Sequence, residues 1–286
     1  MQKPEFSNQK LGQAVACSGL ASRSRFLQHW GSSECGQLTL NMQIIFGIHA
    51  VEESLAARGR GFEYVAIAPG RGDVRIQKIA QLCRAAGIPV RAVPRDQLTR
   101  MAKTANHQGV VAVAAEKQYG DLEDLLARKR AQHAFVLVLD GIEDPHNLGA
   151  IIRTAEGAGA DGIVIPERRA VGVTPTVVKA SAGASEYLPI ARVTNIGRAL
   201  EDLKSRNIWT VGLDERGSKA YDQLDYKMDC ALVLGAEEHG LHEQVRKKCD
   251  FLVSIPMLGK VPSLNASVAA AIVMYELARQ RRTKQS

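Results

Sequence analysis

Cysteine is scarce and scattered in this sequence of 286 residues. The chain has five cysteines and no C-x-x-C pair; they are Cys17, Cys35, Cys83, Cys230 and Cys249. An odd, dispersed set argues against a disulfide framework and a zinc site, and it fits a reducing compartment. We therefore expect a cytoplasmic protein. Cys83 and Cys230 lie in apolar runs, where we predict ordinary core residues.

The patterns of a membrane span, a metal site and a Walker A loop are also missing. No run approaches the roughly 18 consecutive apolar residues of a spanning helix. His239 and His242 stand three apart without a further ligand nearby, so we predict no metal site. Residues 157–162 read GAGADG and match the dinucleotide pattern only formally, because a helix pattern precedes them and a strand pattern follows. We interpret them as a helix end and a turn.

Positive charge is concentrated in one part of the chain. Residues 42–116 contain ten lysines and arginines against six acidic residues, whereas residues 117–286 contain 23 against 22. A basic domain is expected of a polyanion binder such as an RNA-binding protein. A merely soluble basic surface explains the charge alone equally well.

The composition divides the chain into four segments. Residues 1–41 show no sustained period, so we predict a disordered extension or a start codon placed too early, with Met42 as the true start. Residues 42–116 alternate strand and helix patterns and predict a small α/β domain. Residues 117–133 predict a linker with a short helix. Residues 134–286 predict a second α/β domain.

Runs rich in valine and isoleucine predict the strands. Those that begin at Phe135, Cys230 and Phe251 are nearly continuous, as expected of parallel strands buried on both faces. A long final helix is predicted from Ser263 or a neighbour to about Arg282. The predicted strands are residues 44–48, 64–68, 88–93, 110–114, 135–140, 162–166, 209–213, 230–235 and 251–256.

Two polar loops that follow predicted strands point to a ligand site. Residues 235–241 read GAEEHGL, and residues 255–267 read IPMLGKVPSLNAS. Ligands of α/β sheets bind beyond the carboxyl ends of the strands, and a glycine such as Gly235 lets the backbone approach them closely. Ser263 and Asn265 precede the final helix. A helix cap explains one of them and leaves the other free to touch a substrate.

A third motif, DPHNLGAIIRTA at residues 144–155, predicts a transition from strand to helix. Asn147 is expected at or near the N-cap, and Arg153 about two turns along. A capped helix with a surface arginine explains this pattern, and a solvated side chain explains Glu237. An arginine near a strand-end loop is also suited to bidentate phosphate binding.

Together the three motifs resemble, in order, those of the SpoU (TrmH) family of RNA 2'-O-ribose methyltransferases. The resemblance covers roughly residues 42–282. It implies an α/β fold in which a C-terminal trefoil-knotted (SPOUT) methyltransferase domain binds S-adenosylmethionine. It also implies an N-terminal α/β domain like ribosomal protein L30e that holds the RNA. A homodimer is implied too, and the broad apolar surface of the final helix agrees with it.

The resemblance also implies the roles of individual residues. The implied active-site side chains are Asn147, Arg153, Glu237, Ser263 and Asn265. Main-chain groups at Gly235, Ile255 and Leu264 are implied to hold S-adenosylmethionine. Because a guanidinium keeps its proton to about pH 12 or beyond, we expect Arg153 to bind phosphate and orient the 2'-hydroxyl rather than act as a free base.

The predicted function is methyl transfer from S-adenosylmethionine to a ribose 2'-oxygen of RNA. The layout most resembles the enzymes that methylate a guanosine of 23S rRNA. A tRNA ribose methyltransferase of the same family is an alternative, although such enzymes often lack a full L30e-like domain. A non-catalytic RNA-binding protein on the same fold is another, and the intact motif residues argue against it.

Overall fold

A computed structural model describes residues 41–70, 73–127, 132–237 and 239–282, which fall within one compact unit. The predicted N-terminal extension lies outside the described residues except for Asn41. In the described part, no helix combines the length and the apolar character that a bilayer crossing requires. The chain forms two separate sheets in succession.

The first sheet has four strands in the order β1-β4-β2-β3. Strands β1 and β2 run antiparallel to β4, while β3 runs parallel to β2. Asp73 caps the second helix of this half, and Gly87 ends it in the left-handed conformation, as its position in the sequence predicts. The elements are β1 (Met42–Phe46), α1 (Ile48–Ala57), β2 (Phe62–Ile67), α2 (Val74–Ala86), β3 (Val90–Ala92), α3 (Arg95–Ala102) and β4 (Val110–Ala115).

The second sheet has seven strands, and all six pairs of neighbouring strands run parallel. Their order is β7-β6-β5-β10-β8-β11-β9. The strands are β5 (Phe135–Asp140), β6 (Gly162–Pro166), β7 (Ile190–Val193), β8 (Trp209–Leu213), β9 (Lys219–Ala220), β10 (Cys230–Gly235) and β11 (Phe251–Ser254). The helices are α4 (Leu122–Leu126), α5 (Pro145–Gly157), α6 (Pro175–Ala180), α7 (Ile196–Ser205), α8 (Glu243–Lys248) and α9 (Ala266–Arg281).

Both faces of this sheet are covered. Alternate residues of β5 contribute to two different cores: Phe135 and Leu137 belong to the larger cluster, and Val136 and Val138 to the other. Burial of successive residues on opposite faces is why the strand sequence is almost entirely apolar, as predicted. Cys230 is fully buried in the larger core, which confirms the prediction for this residue.

A buried ion pair joins the two halves. The Arg60 guanidinium donates to both carboxylate oxygens of Glu186, at 2.7 and 3.0 Å, and both side chains are at most 2% exposed. Arg60 also donates to the Gln43 side chain and to the Ala115 carbonyl. Four of the five N–H groups of the guanidinium therefore have acceptors within the protein.

Candidate active site

The largest concentration of motif residues surrounds a cavity at the carboxyl edge of the second sheet. Its volume is about 310 Å³. The cavity lies where β8, β10 and β11 end, which is where a ligand is expected in a parallel sheet. It is lined by residues 213–216, 234–237, 239–240, 255, 257, 262–264, 266 and 269. Gly235, Ile255 and Leu264, the residues predicted to hold a cofactor, are all in its walls.

Gly235 is a glycine because another stretch of backbone lies against it. A Cβ atom at this position would lie 2.1 Å from the carbonyl carbon and oxygen of Gly240. Gly240 has a φ of +62° and donates its amide to the Ala236 carbonyl at 2.9 Å. The loop therefore turns back tightly over the end of β10. Gly235 leaves room for the approaching backbone, and Gly240 adopts the positive φ of the turn.

Three predicted side chains meet in one hydrogen-bonded cluster. The side-chain Nδ2 of Asn147 donates to Glu237 Oε2 at 3.1 Å, and the side-chain Nδ2 of Asn265 donates to Asn147 Oδ1 at 2.9 Å. Asn265 also lies 3.3 Å from the same Glu237 oxygen. These residues are separated by 90 and 118 positions along the chain, counted from Asn147 to Glu237 and to Asn265. The fold thus brings the three sequence motifs together.

Asn147 lies near the start of α5, as predicted, but the cap itself is Asp144. The Asp144 carboxylate accepts a hydrogen bond from the main-chain amide of Asn147 at 2.8 Å, and Pro145 occupies the first turn. An aspartate followed by proline is a strong signal for a helix start. The Asn147 side chain is consequently available to Glu237.

Asn265 caps α9, and Ser263 remains for another role. Asn265 Oδ1 accepts from the Ser267 amide at 2.9 Å and from its hydroxyl at 2.6 Å. Ser263 is exposed, lines the cavity, and has no hydrogen-bond partner among the described residues. The expectation that a cap would explain only one of these two polar residues matches this arrangement.

Arg153 is not part of the cluster within one chain. It lies more than two turns along α5, exposed, and does not line the cavity. No carboxylate of the described residues pairs with it. The guanidinium is therefore available to an external anion.

The sequence patterns had not indicated two charged residues of the cavity wall. Asp214 directly follows β8, and Arg216 binds both of its carboxylate oxygens, at 2.8 and 2.9 Å. The hydrogen bond from Arg216 holds the pKa of Asp214 below its usual range, although burial opposes this. The pair is charged at neutral pH. Because ligands bind beyond the carboxyl ends of parallel strands, the end of the predicted strand 209–213 would also have indicated Asp214.

Two thiols of the second half, those of the buried Cys230 and the half-buried Cys249, are not poised to react. Burial raises the pKa of Cys230 to about 11 and that of Cys249 to about 12, so both keep their protons at neutral pH. Within the described part of the chain, no group of three or more His, Cys, Asp or Glu residues could hold a metal ion.

Comparison with known proteins identifies the family. The family model described as "SpoU rRNA Methylase family" matches residues 134–275, and the model described as "RNA 2'-O ribose methyltransferase substrate binding" matches residues 44–120. A Bacillus subtilis protein named "Putative TrmH family tRNA/rRNA methyltransferase YacO" is 47% identical over 239 residues, which are 83% of this chain and 95% of that protein. This chain belongs to the SpoU/TrmH family of RNA methyltransferases.

Solved structures agree with this family assignment. The SpoU methyltransferase AviRb from Streptomyces viridochromogenes, in complex with AdoMet, is 28% identical with a TM-score of 0.71, over 84% of this chain and 90% of that one. The AdoMet-bound rRNA methyltransferase from Sinorhizobium meliloti is 26% identical with a TM-score of 0.69, over 85% and 88%. The predicted α/β fold with a SPOUT methyltransferase domain is confirmed.

Proposed function

We propose that this SpoU/TrmH protein transfers the methyl group of S-adenosylmethionine to a ribose 2'-oxygen of RNA. The cluster of Asn147, Glu237 and Asn265 beside the strand-end cavity carries the proposal. The cavity supplies a cofactor site with main-chain groups at Gly235, Ile255 and Leu264. That AviRb and the S. meliloti enzyme bind AdoMet supports the same cofactor here.

The reaction needs alignment more than acid–base chemistry. The 2'-oxygen forms a bond to the methyl carbon while the carbon–sulfur bond breaks, sulfur keeps the electron pair, and the hydroxyl proton is released to water. Catalysis then consists mainly of holding oxygen, methyl and sulfonium in line. The Asn147–Glu237–Asn265 cluster fixes the loops on either side of the cavity, and Ser263 offers its hydroxyl to the substrate.

Arg153 binds a substrate phosphate and orients the 2'-hydroxyl in this proposal. Its guanidinium is exposed and pairs with no carboxylate in the described part of the chain, which suits that role, but it lies outside the cavity of its own chain. A homodimer would place Arg153 of one protomer at the site of the other. The exposed Val268 and Tyr275, 48% and 47% exposed on α9, provide an apolar surface for such an interface.

The RNA is most consistent with 23S rRNA, and the modified residue with a guanosine. The basic segment 42–116, which the substrate-binding family model covers in large part, supports an RNA substrate, and the presence of this domain, which tRNA enzymes of the family often lack, favours rRNA. A tRNA substrate is the second candidate, favoured by the relatives named for both tRNA and rRNA. The proposed place of action is the cytoplasm, where both RNAs and S-adenosylmethionine occur together. Neither a metal nor a membrane takes part.

Two measurements test the function. Calorimetry should show binding of S-adenosylmethionine to the purified protein, and ribose-methylation mapping of total RNA should show one position that a deletion strain loses. Complementation with the wild-type gene should restore that position, whereas an Arg153→Ala gene should not. Cofactor binding without any lost methylation would favour the non-catalytic alternative. Loss of a tRNA position would select the second candidate.

A further inference from the structure

A second cavity lies between the two sheets, away from the cofactor cavity. Its volume is about 560 Å³. The first half contributes β1 and the end of α3, and the second half contributes the segment after β6 together with β7. Its charged lining residues are Lys103, Lys117, Arg192 and Glu116, three cations against one acid. The surplus of positive charge favours an anionic ligand.

Arg192 is held in a fixed position in this cavity. Its guanidinium carbon lies 4.0 Å from the centre of the Tyr119 ring, and no carboxylate of the described residues pairs with it. The Tyr119 hydroxyl oxygen in turn accepts a hydrogen bond from the main-chain amide of Val173 at 2.7 Å. A stacked guanidinium keeps its hydrogen-bond donors free at the edge, which is the geometry that phosphate binding uses.

Gly172 forms the surface beneath this arginine. A Cβ atom on Gly172 would lie 2.6 Å from an Arg192 guanidinium nitrogen and 2.8 Å from the Tyr119 hydroxyl. Any side chain at this position would therefore displace the guanidinium from its place. Lys103 faces the same cavity from the first half, at the left-handed end of α3, and is exposed. Lys103 from the first half and Arg192 from the second thus face the same cavity.

The cavity is linked to the active-site edge by main-chain hydrogen bonds. The Val171 amide donates to the Ile142 carbonyl at 3.0 Å, which joins the loop after β6 to the loop after β5. Asn147 lies on the helix that follows that second loop. Strand β7 is three strands from β10 and five from β11, so the two sites are separated along the edge by roughly 14–24 Å, from the spacing of neighbouring strands.

We infer that this cavity binds a backbone phosphate of the RNA substrate, through Arg192 and Lys103, a few nucleotides away from the one that is methylated. The inference rests on the proposed function, because it deepens the description of the RNA site. Phosphate contacts position a nucleic acid without reading its sequence. A contact shared by both halves would set the register of the RNA between the basic first domain and the methyl group.

The test is filter binding of deproteinised total rRNA to the full chain at several salt concentrations. Arg192→Gln should raise Kd about tenfold and reduce the slope of log K against log salt by about one. Lys103→Asn, which tolerates the left-handed conformation, should act in the same direction. Arg198→Gln, the control with the same charge change at an exposed site on α7, should change Kd by no more than about twofold.

Gly172→Ala separates geometry from charge. It leaves the net charge unchanged but moves the guanidinium, so Kd should rise as it does for Arg192→Gln. Thermal unfolding confirms that each variant is folded, and calorimetry should give an unchanged affinity for S-adenosylmethionine.

Arg192→Gln and Gly172→Ala variants that bind rRNA like the Arg198→Gln control would overturn the inference. Competition by AMP as strong as that by RNA of equal phosphate content would also overturn it, in favour of a small-anion site. A wild-type protein that binds no S-adenosylmethionine would instead count against the proposed function.

Discussion

Asp140 Oδ2 accepts a hydrogen bond from the main-chain amide of His242 at 2.9 Å and lies 3.0 Å from the ring Nδ1 of the same residue. Asp140 is the last residue of β5 and is almost fully buried, while the His242 side chain is 54% exposed. Ala236, Glu237, His239 and Gly240, which line the strand-end cavity, lie between the end of β10 and this anchor. A single carboxylate therefore fixes the far end of the loop.

Asp140→Ala should weaken cofactor binding through that loop. It leaves the partly buried His242 amide without its acceptor, which costs about 1–3 kcal/mol of stability. His242→Gln keeps the main-chain bond and should have a smaller effect on both stability and affinity. Thermal unfolding measures the stability of each variant, and calorimetry measures its affinity for S-adenosylmethionine. Equal effects of the two substitutions would mean that the main-chain bond is not the important one.

Gly235→Ala should abolish binding of S-adenosylmethionine. The added methyl group would overlap the Gly240 backbone at 2.1 Å, and backbone cannot move aside as a flexible side chain can. Gly259→Ala is the matched control, because a Cβ atom there meets nothing within 4 Å. Calorimetry on both folded variants checks the prediction. Tight binding by the Gly235 variant would place the cofactor elsewhere.

Asn265→Ala and Ser263→Ala should have different consequences although the residues are two apart. Removing Asn265 removes the cap of α9 and should lower the free energy of unfolding by about 1–2 kcal/mol. Removing the Ser263 hydroxyl should leave stability unchanged and reduce only methyl transfer. Denaturant unfolding and incorporation of a labelled methyl group into rRNA compare the pair. A large loss of stability in the Ser263 variant would contradict the assignment.

Arg153→Ala should abolish methyl transfer and leave affinity for S-adenosylmethionine within a few-fold, because Arg153 does not line the cavity. If the proposed homodimer is correct, mixing this variant with a Gly235→Ala variant should restore some activity. In such a mixed dimer, one site has both an intact cavity and an arginine from the partner. No restoration in dimers shown to exchange subunits would mean that Arg153 acts in its own chain.

Local sequence patterns predicted the buried centre of the catalytic sheet and the ends of its strands. The predicted bounds of β5, β6, β8 and β10 are those observed, because continuous apolar runs that end at polar residues leave few alternatives. The turn at residues 157–162 is also as interpreted: α5 ends at Gly157, Gly159 has a φ of +80°, and β6 begins at Gly162.

Elements with weak local patterns were not predicted. Strand β7 has only four residues and includes Arg192, so its apolar run is too short to stand out. The pairing of Arg60 with Glu186 joins residues 126 positions apart, and no local pattern reports such a contact. Likewise, the sequence motifs indicated Asn147, Glu237 and Asn265 separately, but only tertiary structure shows which atoms they share.

Glu186→Gln should destabilise the whole chain. It leaves the Arg60 guanidinium buried without a countercharge, a change that costs about 3–5 kcal/mol. Glu123→Gln is the control, because its pair with Arg206 is exposed at 80% and 45% and contributes about 0–1 kcal/mol. Denaturant unfolding of both variants measures the difference. Similar losses would show that the ion pair between the halves is not important for stability.

The same ion pair has a consequence for target choice. A buried, bidentate ion pair holds the two halves together. We therefore expect the two halves to keep a fixed separation when RNA binds, rather than to move relative to each other. The distance from the basic first half to the transferred methyl group is then the same for every RNA that binds. We expect an RNA to be selected by the length of the fold that spans this distance, so that inserting one base pair into the spanning stem would move the target ribose out of reach.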